Sequence, residues 1–356
     1  MSILLVTEIS DRSEVFLYCE LARRGHRVTL VCNPNEPQIE RYEAAGAVVV
    51  PIAISSRISP GAVRKLRRVI TDHKIETVYA PFNKGLAAAT LASIGLSCRR
   101  FTYRGTLGNL SRFNPTTYLT HLSGSLTGII CNCQAVKEDL VRFGLPEEKL
   151  TVVRKGHKPK WYEVDPIKDI GNYFEPPFNI RPTICCVANI RPLKGGDVLL
   201  SALSMIPEDR RPNLLFVGEN NHPALLELTK KLRLQDQVRF LGFRKDALSI
   251  ISSCATLVLP SKRREGFSRA VIDSVFVKTP AIVSNVGGSP EIIEGQKGGL
   301  VVPPSDSLAL AKAIEKILVN PELAKSFTEF SYNKLHKLLE MENYIKLMES
   351  ILTAKN

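Results

Sequence analysis

The segment ATLVLPSKRREGFSRAVIDSVFV, residues 255–277, carries the clearest structural signal of this chain. An apolar run leads into a turn opened by Pro260 and Ser261, Glu265 follows in a short loop, and apolar residues then recur at helical spacing. A strand, a loop and a helix in this order bring backbone N–H groups and the positive end of the helix dipole to one place. The segment therefore predicts a site for an anionic ligand.

The rest of the chain repeats this alternation of strand and helix. Short runs rich in Val, Ile and Leu, separated by helix-length segments, are typical of parallel sheets covered on both faces, that is, of Rossmann-like α/β units. The pattern occurs twice, and a Pro-rich stretch at residues 157–182 separates the halves. The predicted strands are 3–7, 27–32, 47–51, 77–80 and 128–131, then 183–187, 213–217, 238–241, 256–259 and 281–284.

Length and composition also favour two domains. The chain has 356 residues and 44% hydrophobic content, more than one core of ordinary size needs. It has no run of eighteen apolar residues, and its first residues are typical of a strand rather than of a signal peptide. Eight cysteines without a C-x-x-C pair argue against zinc and against a disulfide framework, so we expect a cytoplasmic protein.

The charge balance points to an anionic partner. The formal net charge is +13, which suits a nucleotide sugar, a phospholipid surface or a nucleic acid. No helix-turn-helix, RRM or KH signature accompanies the charge, and one Trp with nine Tyr offers no obvious platform for stacking bases. We therefore do not expect nucleic acid to be the partner.

A longer motif extends through residues 260–291. It consists of Pro-Ser, Glu-Gly-Phe, a second acid after seven residues, Gly-Gly and Pro-Glu. This order and spacing resemble the signature of the retaining glycosyltransferases of family 4, which have the GT-B fold. The second acid here is Asp273, where the family usually has Glu, so this carboxylate reaches one methylene less far.

The resemblance implies a domain organisation. GT-B enzymes have two Rossmann-like α/β domains that face each other across a cleft, with a C-terminal helix that returns to the first domain. On that basis we expect an acceptor-side domain at 1–165, a nucleotide-sugar-binding domain at 166–335 and the returning helix at 336–356.

The resemblance also implies roles for individual residues. Lys194 would hold the donor diphosphate, where a cation stabilises charge that grows on the leaving oxygen. The family usually has Arg five positions before this Lys, and here Asn189 occupies that position, so Arg191 is the candidate replacement. Glu265 would contact the hydroxyls of the donor sugar and Asp273 those of the ribose, because a carboxylate can accept hydrogen bonds from two hydroxyls.

The remaining site residues are backbone contacts and one arginine. Gly266, Phe267 and Ser268 would present N–H groups to the phosphates, and Gly218, Gly242, Phe243 and Arg244 would lie near the nucleotide. Relatives often place a His near the reacting carbon, and the matching stretch here contains Arg104. Its guanidinium would bind an anionic acceptor or the leaving phosphate. The competing interpretation is an arginine paired with a local carboxylate.

A cationic segment suggests a second surface. Arg64, Lys65, Arg67 and Arg68 interleave with apolar residues in a predicted amphipathic helix. Such a helix could lie on the anionic inner face of the cell membrane and bring the site to a lipid-linked acceptor. Equally, its apolar face could simply be part of the core.

The leading functional hypothesis is a retaining glycosyltransferase. It would move a sugar from a nucleotide-diphosphate donor, a UDP-sugar by family frequency, to a glycan or lipid-linked acceptor in bacterial cell-envelope polysaccharide or lipopolysaccharide synthesis. No Asp-x-Asp metal motif is visible, so we expect neither a metal nor another cofactor. The alternatives are a GT-B epimerase or phosphorylase, and a basic polyanion-binding protein on an inactive GT-B scaffold.

Overall fold

The computed structural model describes residues 1–219 and 222–354. The chain divides into two compact units. Unit 1 contains residues 1–157 together with the chain from residue 339 onward, and unit 2 contains residues 158–338. The sequence-based boundaries at 165 and 335 lie eight residues after and three residues before these transitions.

Unit 1 is built on a parallel sheet. Within residues 1–157 the sheet has seven strands in the order β3-β2-β1-β4-β5-β6-β7. Its interior strand β1 is buried along its whole length, as helices on both faces require. The strands are β1 (Ser2–Val6), β2 (Arg27–Cys32), β3 (Val48–Pro51), β4 (Thr77–Tyr79), β5 (Arg99–Arg104), β6 (Gly128–Cys131) and β7 (Leu150–Val152), and the helices are α1 (Arg12–Arg23), α2 (Ile39–Ala44), α3 (Pro60–Asp72), α4 (Asn83–Ala92) and α5 (Gln134–Phe143).

Unit 2 repeats the architecture. Its described part has six parallel strands in the order β10-β9-β8-β11-β12-β13. The strands are β8 (Thr183–Val187), β9 (Asn213–Val217), β10 (Val238–Phe240), β11 (Thr256–Leu259), β12 (Ala281–Ser284) and β13 (Leu300–Val302). The helices are α6 (Gly196–Met205), α7 (Ala224–Lys231), α8 (Ala247–Ser252), α9 (Arg269–Phe276), α10 (Ser289–Ile292), α11 (Ser307–Leu318) and α12 (Pro321–Leu338).

A final helix, α13 (Met341–Thr353), belongs to unit 1. It packs against α1, where Arg24 donates to the Glu349 carboxylate at 2.8 Å, and His26 Nε2 lies 2.6 Å from the same carboxylate. Thr77 Oγ1 at the start of β4 donates to the Leu352 carbonyl at 2.9 Å. The returning helix was predicted at 336–356, whereas the chain breaks at Leu339 and Glu340, so that residues 336–338 belong to α12 and α13 begins at Met341.

The surface helix α3 has two faces. Its apolar residues Leu66, Val69 and Ile70 are buried in unit 1, so the apolar side is core, while its arginines and lysine are exposed. No helix in residues 1–219 and 222–354 is long and apolar enough to cross a membrane. All eight cysteines lie within these ranges and are buried thiols.

Candidate functional site

The topology of unit 2 selects one place for a ligand. Strand β8 comes first in the chain, and its neighbours are β9 on one side and β11 on the other. The strand order therefore reverses between β8 and β11. Ligands of open parallel sheets bind outside the carboxyl ends of the strands at such a reversal. The loops that leave these two ends carry Lys194 and Glu265.

Lys194 and Glu265 meet at this place. The ammonium Nζ of Lys194 lies 2.8 Å from Glu265 Oε2, and the two side chains are 16% and 8% exposed. Ser261 Oγ donates to the same oxygen at 2.5 Å. Glu265 Oε2 is thus held by two donors, and the acid is fixed in orientation by its own loop and by the loop after β8. The predicted pair forms one site.

Backbone contacts bring the two loops together. Gly195, which follows Lys194, has φ +71°, and a Cβ there would lie 2.0 Å from the Pro260 carbonyl oxygen. The N–H of Lys262 donates to the Leu193 carbonyl at 2.8 Å. Only glycine fits at position 195, because both its backbone conformation and this close approach exclude a side chain.

A second ion pair joins the same loops. Lys262 Nζ lies 2.6 Å from Asp197 Oδ2 in the first turn of α6. The Glu265 loop also contacts the loop after β12, because the Gly288 N–H donates to the Gly266 carbonyl at 3.2 Å. These contacts join the loops that follow β8, β11 and β12 into one surface.

Helix α9 places the second acid. Ser268 is its N-cap residue, so Gly266 and Phe267 lie at the entrance to the helix, where backbone N–H groups point away from it. Asp273, one turn further on, accepts from Arg269 Nε at 2.7 Å, and this pair is half exposed on the arginine side. The segment thus holds a carboxylate and the positive end of a helix close to Glu265 in sequence.

Asn189 occupies the position where the family usually has Arg, and Arg191 is its candidate replacement. Asn189 and Arg191 are both exposed in the loop after β8. Arg191 is the N-cap residue of the short turn Pro192–Lys194, and its carbonyl accepts from the Lys194 N–H at 2.8 Å. Arg191 therefore lies three residues before Lys194, in backbone contact with it, and is exposed.

The neighbouring strands end in two glycines. Gly218 follows β9, and a Cβ there would lie 2.1 Å from the Ala188 carbonyl oxygen, so the backbone after β9 packs on the loop after β8. The Gly218 N–H donates to the Gly242 carbonyl at 2.8 Å. Phe243 is exposed, and Arg244 forms an ion pair with Asp246 at 2.7 Å.

Arg104 lies in unit 1, at the last position of β5. It is buried, and one of its Nη atoms donates to the Gly108 carbonyl. Burial lowers the pKa of this guanidinium, and the nearby Asp139 carboxylate opposes the shift. Asp139 itself accepts from the Gly108 N–H at 2.7 Å. Arg104 therefore helps to hold the loop at 105–108 of unit 1.

Two features of the site were not predicted from the sequence. Ser261 was quoted only as part of a turn, yet its hydroxyl orients Glu265. Asp197 follows the Gly pair of the loop and pairs with Lys262. Ser261 lies within the quoted segment 255–277 and Asp197 lies three residues after Lys194, and these positions were the available signal. Among the described residues, no group of three or more His, Cys, Asp or Glu side chains is arranged to hold a metal ion.

Two family descriptions match the chain. "Glycosyl transferases group 1" matches residues 174–334 and "Glycosyltransferase Family 4" matches residues 16–160. The first therefore falls within unit 2 and the second falls mainly within unit 1. The chain belongs to family 4 of the glycosyltransferases.

Individual relatives are distant. The chain is 25% identical over 166 residues to N-acetyl-alpha-D-glucosaminyl L-malate synthase of Bacillus anthracis, which is 46% of this chain and 43% of that protein. It is 25% identical over 287 residues to the GDP-mannose-dependent alpha-(1-6)-phosphatidylinositol monomannoside mannosyltransferase of Mycobacterium tuberculosis, 73% and 71% of the two chains. The shared region spans half or less of the first curated relatives, 43%, 50% and 39% of their lengths.

A solved structure matches over the whole length. Anabaena Alr3699/HepE, determined in complex with UDP, superposes with a TM-score of 0.81 at 18% identity over 100% of both chains. Its complex with UDP-glucose gives 0.80 at 18% identity. The fold of this chain, two Rossmann-like units with parallel sheets, is thus the GT-B fold.

Proposed function

We propose that this protein is a retaining glycosyltransferase that moves a sugar from a nucleoside-diphosphate donor to a glycan or lipid-linked acceptor. The observation that carries the proposal is the 2.8 Å contact between Lys194 and Glu265 at the strand-order reversal of unit 2. A cation and a carboxylate side by side suit the two ends of such a donor, because the diphosphate is anionic and the sugar presents hydroxyls.

Lys194 and Glu265 neutralise each other in their 2.8 Å contact. When the donor binds, its diphosphate becomes the partner of the Lys194 ammonium, and Glu265 accepts hydrogen bonds from the sugar hydroxyls. Lys194 then faces the oxygen on which negative charge grows as the glycosidic bond breaks, so the transition state is stabilised more than the bound substrate. Arg191, beside Lys194 and exposed, adds a second cation once the donor is present.

The other contacts position the donor. Backbone N–H groups of residues 266–268 face the phosphates, and Asp273 accepts from the ribose hydroxyls. Gly218, Gly242, Phe243 and Arg244 lie at the ends of β9 and β10, on the same edge of the sheet, and contact the nucleotide. The donor is a UDP-sugar, which is the nucleotide that the Anabaena protein of like fold binds.

The stereochemical course follows from the roles of these groups. The departing diphosphate accepts the proton of the acceptor hydroxyl while that oxygen attacks from the same face, so the configuration at the sugar carbon is retained. No divalent metal takes part, because Lys194 and Arg191 supply the positive charge for the leaving group. Arg104 of unit 1 binds an anionic group of the acceptor or the leaving phosphate.

The experiment has two stages. Nucleoside diphosphates are screened by thermal shift, since a ligand at a hundred times its Kd stabilises the native state by about 2.7 kcal/mol. Donor sugars of the preferred base are then tested with glycan and lipid-linked acceptors in EDTA, and the product anomer is read by NMR. A product with inverted configuration, or loss of rate in EDTA, contradicts the mechanism.

The same assay separates the alternatives. A GT-B epimerase converts the donor without any acceptor, and a phosphorylase requires inorganic phosphate. A polyanion-binding protein shows no selectivity among nucleotides and a steep loss of binding with salt. Any of these results replaces the transferase proposal.

We further propose that α3 holds the protein at an anionic cytoplasmic membrane surface. The buried apolar face of α3 fixes the helix to unit 1, so the contact is made by the exposed cations Arg64, Lys65 and Arg68. Each cation near such a surface contributes about 1 kcal/mol. A lipid-linked acceptor of a cell-envelope glycan would be found at that surface.

A further inference from the structure

Unit 1 contains an apolar cavity. Its volume is about 270 Å³, near the lower end of ligand pockets, which begin at about 300 Å³. We call it the Leu126 cavity. Its apolar walls come from the segment between β5 and β6, from β6 itself and from the loop after α5, and they are formed by Leu122, Leu126, Ile129, Leu145 and Pro146.

The backbone carbonyls around the Leu126 cavity already have donors. Lys149 Nζ donates to the Leu126 carbonyl at 3.0 Å, and Arg112 Nη2 donates to the Phe143 carbonyl at 2.7 Å. Tyr118 donates its hydroxyl proton to the Arg112 carbonyl at 3.1 Å. An apolar occupant would therefore leave these carbonyls hydrogen-bonded, which removes the usual cost of burying polar groups.

The histidine in the wall of the cavity is neutral. His121 lines the cavity and is buried, and burial together with the nearby Arg104 and Arg57 cations lowers its pKa to about 4. At neutral pH its imidazole carries no charge. His121 therefore adds no charge to the apolar part of the wall, which suits a hydrocarbon ligand.

The charges of the cavity lie on two of its lining residues. Arg112 and Lys149 donate to carbonyls, and within residues 1–219 and 222–354 neither forms an ion pair with a carboxylate. The nearby acid Glu147 is engaged by Lys137 at 3.0 Å. Because a guanidinium has five N–H donors and an ammonium three, both cations keep donors for an anion.

Exposed apolar residues surround this positive charge. Phe113, next to Arg112, is 98% exposed, and Tyr118 is 50% exposed. Arg57 donates to the Thr116 hydroxyl between them, which brings Ile58, 60% exposed, to the same surface just before α3. Exposed apolar side chains interleaved with cations are typical of a surface that lies at a membrane interface.

We propose that the Leu126 cavity binds the end of a hydrocarbon chain of an anionic membrane lipid, with the phosphate of that lipid held by Arg112 and Lys149. The charge complementarity and the apolar walls select this occupant over a free phosphate, which needs no apolar cavity. They also select it over a nucleic acid, which has no hydrocarbon end to fill an apolar cavity. The site is independent of sugar transfer and of the exposed cations of α3.

The test uses the full chain and a soluble single-chain probe. Calorimetric titration with dodecyl phosphate below its micelle concentration should give saturable binding, whereas inorganic phosphate should not bind and dodecyl maltoside should bind at least tenfold more weakly. Ser123→Trp fills the cavity from its rim and should weaken the binding of dodecyl phosphate at least tenfold. The double variant Arg112→Gln, Lys149→Gln should weaken it by at least the same factor. Arg64→Gln on α3 is the matched control and should leave this binding unchanged.

A second measurement does not depend on a variant folding well. A diazirine-bearing alkyl phosphate should crosslink the wild-type protein within residues 112–149, and unlabelled dodecyl phosphate should compete. Crosslinking elsewhere, equal binding of inorganic phosphate, or unchanged affinity in the Arg112→Gln, Lys149→Gln protein contradicts the proposal. Displacement of the probe by RNA would assign the surface to a polyanion instead.

Discussion

Gly195 lies against the carbonyl of Pro260 so closely that a Cβ on Gly195 would stand 2.0 Å from that oxygen. Gly195 lies in the loop after β8, directly after Lys194. Pro260 directly follows β11 and begins the loop that contains Glu265. The contact therefore sets the separation of the two loops, and with it the 2.8 Å distance between the Lys194 ammonium and the Glu265 carboxylate.

Replacing this glycine should disturb the site and the fold together. Gly195→Ala must adopt φ +71° and also push the Pro260 backbone away. Gly242→Ala is the matched control, because it has φ +65° but no atom within 4 Å of the new Cβ. The control should cost about 1–2 kcal/mol for the left-handed conformation. Urea unfolding should show a clearly larger loss for Gly195→Ala, and equal losses would mean that the loops are not in this contact.

Asp273 should affect donor affinity through the ribose. Asp273→Asn removes a charge-assisted hydrogen bond of about 1.5–3 kcal/mol, so nucleoside diphosphate affinity should fall about tenfold to a hundredfold. A 2′,3′-dideoxy nucleotide lacks the ribose hydroxyls, so Asp273→Asn should hardly change its affinity. Arg269→Ala, which removes the 2.7 Å partner of Asp273, is the control and should not weaken the ribonucleotide. Equal losses for both nucleotides would exclude the ribose role.

Membrane contact should depend on the exposed face of α3. Neutralising Arg64, Lys65 and Arg68 to Gln should weaken binding to anionic liposomes about a hundredfold, at about 1 kcal/mol for each cation. Arg67 is left in place, because its guanidinium donates to the Ala92 and Ile94 carbonyls at 3.0 and 2.8 Å. Activity on soluble acceptors should be unchanged.

The control for that experiment is an equal change of charge elsewhere. Glutamines in place of Lys230, Lys297 and Lys346, which are similarly exposed, should leave sedimentation with liposomes as in the wild type. If both triple variants lose the same amount of liposome binding, the attraction comes from the net charge of +13 and not from α3.

Docking of α13 should weaken in acid. Burial raises the pKa of Glu349, but hydrogen bonds from His26 and Arg24 outweigh it, and the net pKa is lowered from 4.5. A lowered folded pKa contributes stability above the unfolded value of about 4.5, and that stability is lost as the pH falls through the folded pKa. Hydrogen exchange of α13 should therefore accelerate below pH 4.5 relative to α1.

Glu349→Gln provides the control for this pH dependence. It should give faster exchange of α13 at pH 6 and a smaller further change in acid, since the titrating group is gone. The exposed Glu329 of α12 is the matched position, and Glu329→Gln should exchange like the wild type at α13. An acid-induced increase that persists in Glu349→Gln would assign the effect to other groups.

Much of the fold could be predicted from apolar runs. Each of the ten predicted strands is present within one residue at either end. Strand β5 was not predicted, because its sequence RRFTYR has arginines at both ends and lacks a continuous apolar run. In the structure Arg99 and Arg100 donate to the Leu352 and Ser125 carbonyls. It also lacks β7 and β13, which have three residues each and are too short for periodicity to identify.

The relative positions of site residues could be predicted where the residues lie on one motif. Glu265, Gly266 and Asp273 lie on one strand-loop-helix segment, so their relation follows from spacing. The pairing of Lys194 with Glu265 joins residues 71 apart and came only from the family resemblance. The bond from Ser261 and the exposure of Arg191 depend on backbone conformations that residue order does not fix.

The central claim is that Lys194 and Glu265 act together on one donor. The most direct measurement is the turnover of the preferred nucleotide sugar by Lys194→Ala and Glu265→Ala, with Lys297→Ala as an exposed control. Each site variant should lose roughly 10²–10³-fold in kcat while keeping its circular dichroism spectrum and melting midpoint. Folded variants that both turn over at near wild-type rates would contradict the account.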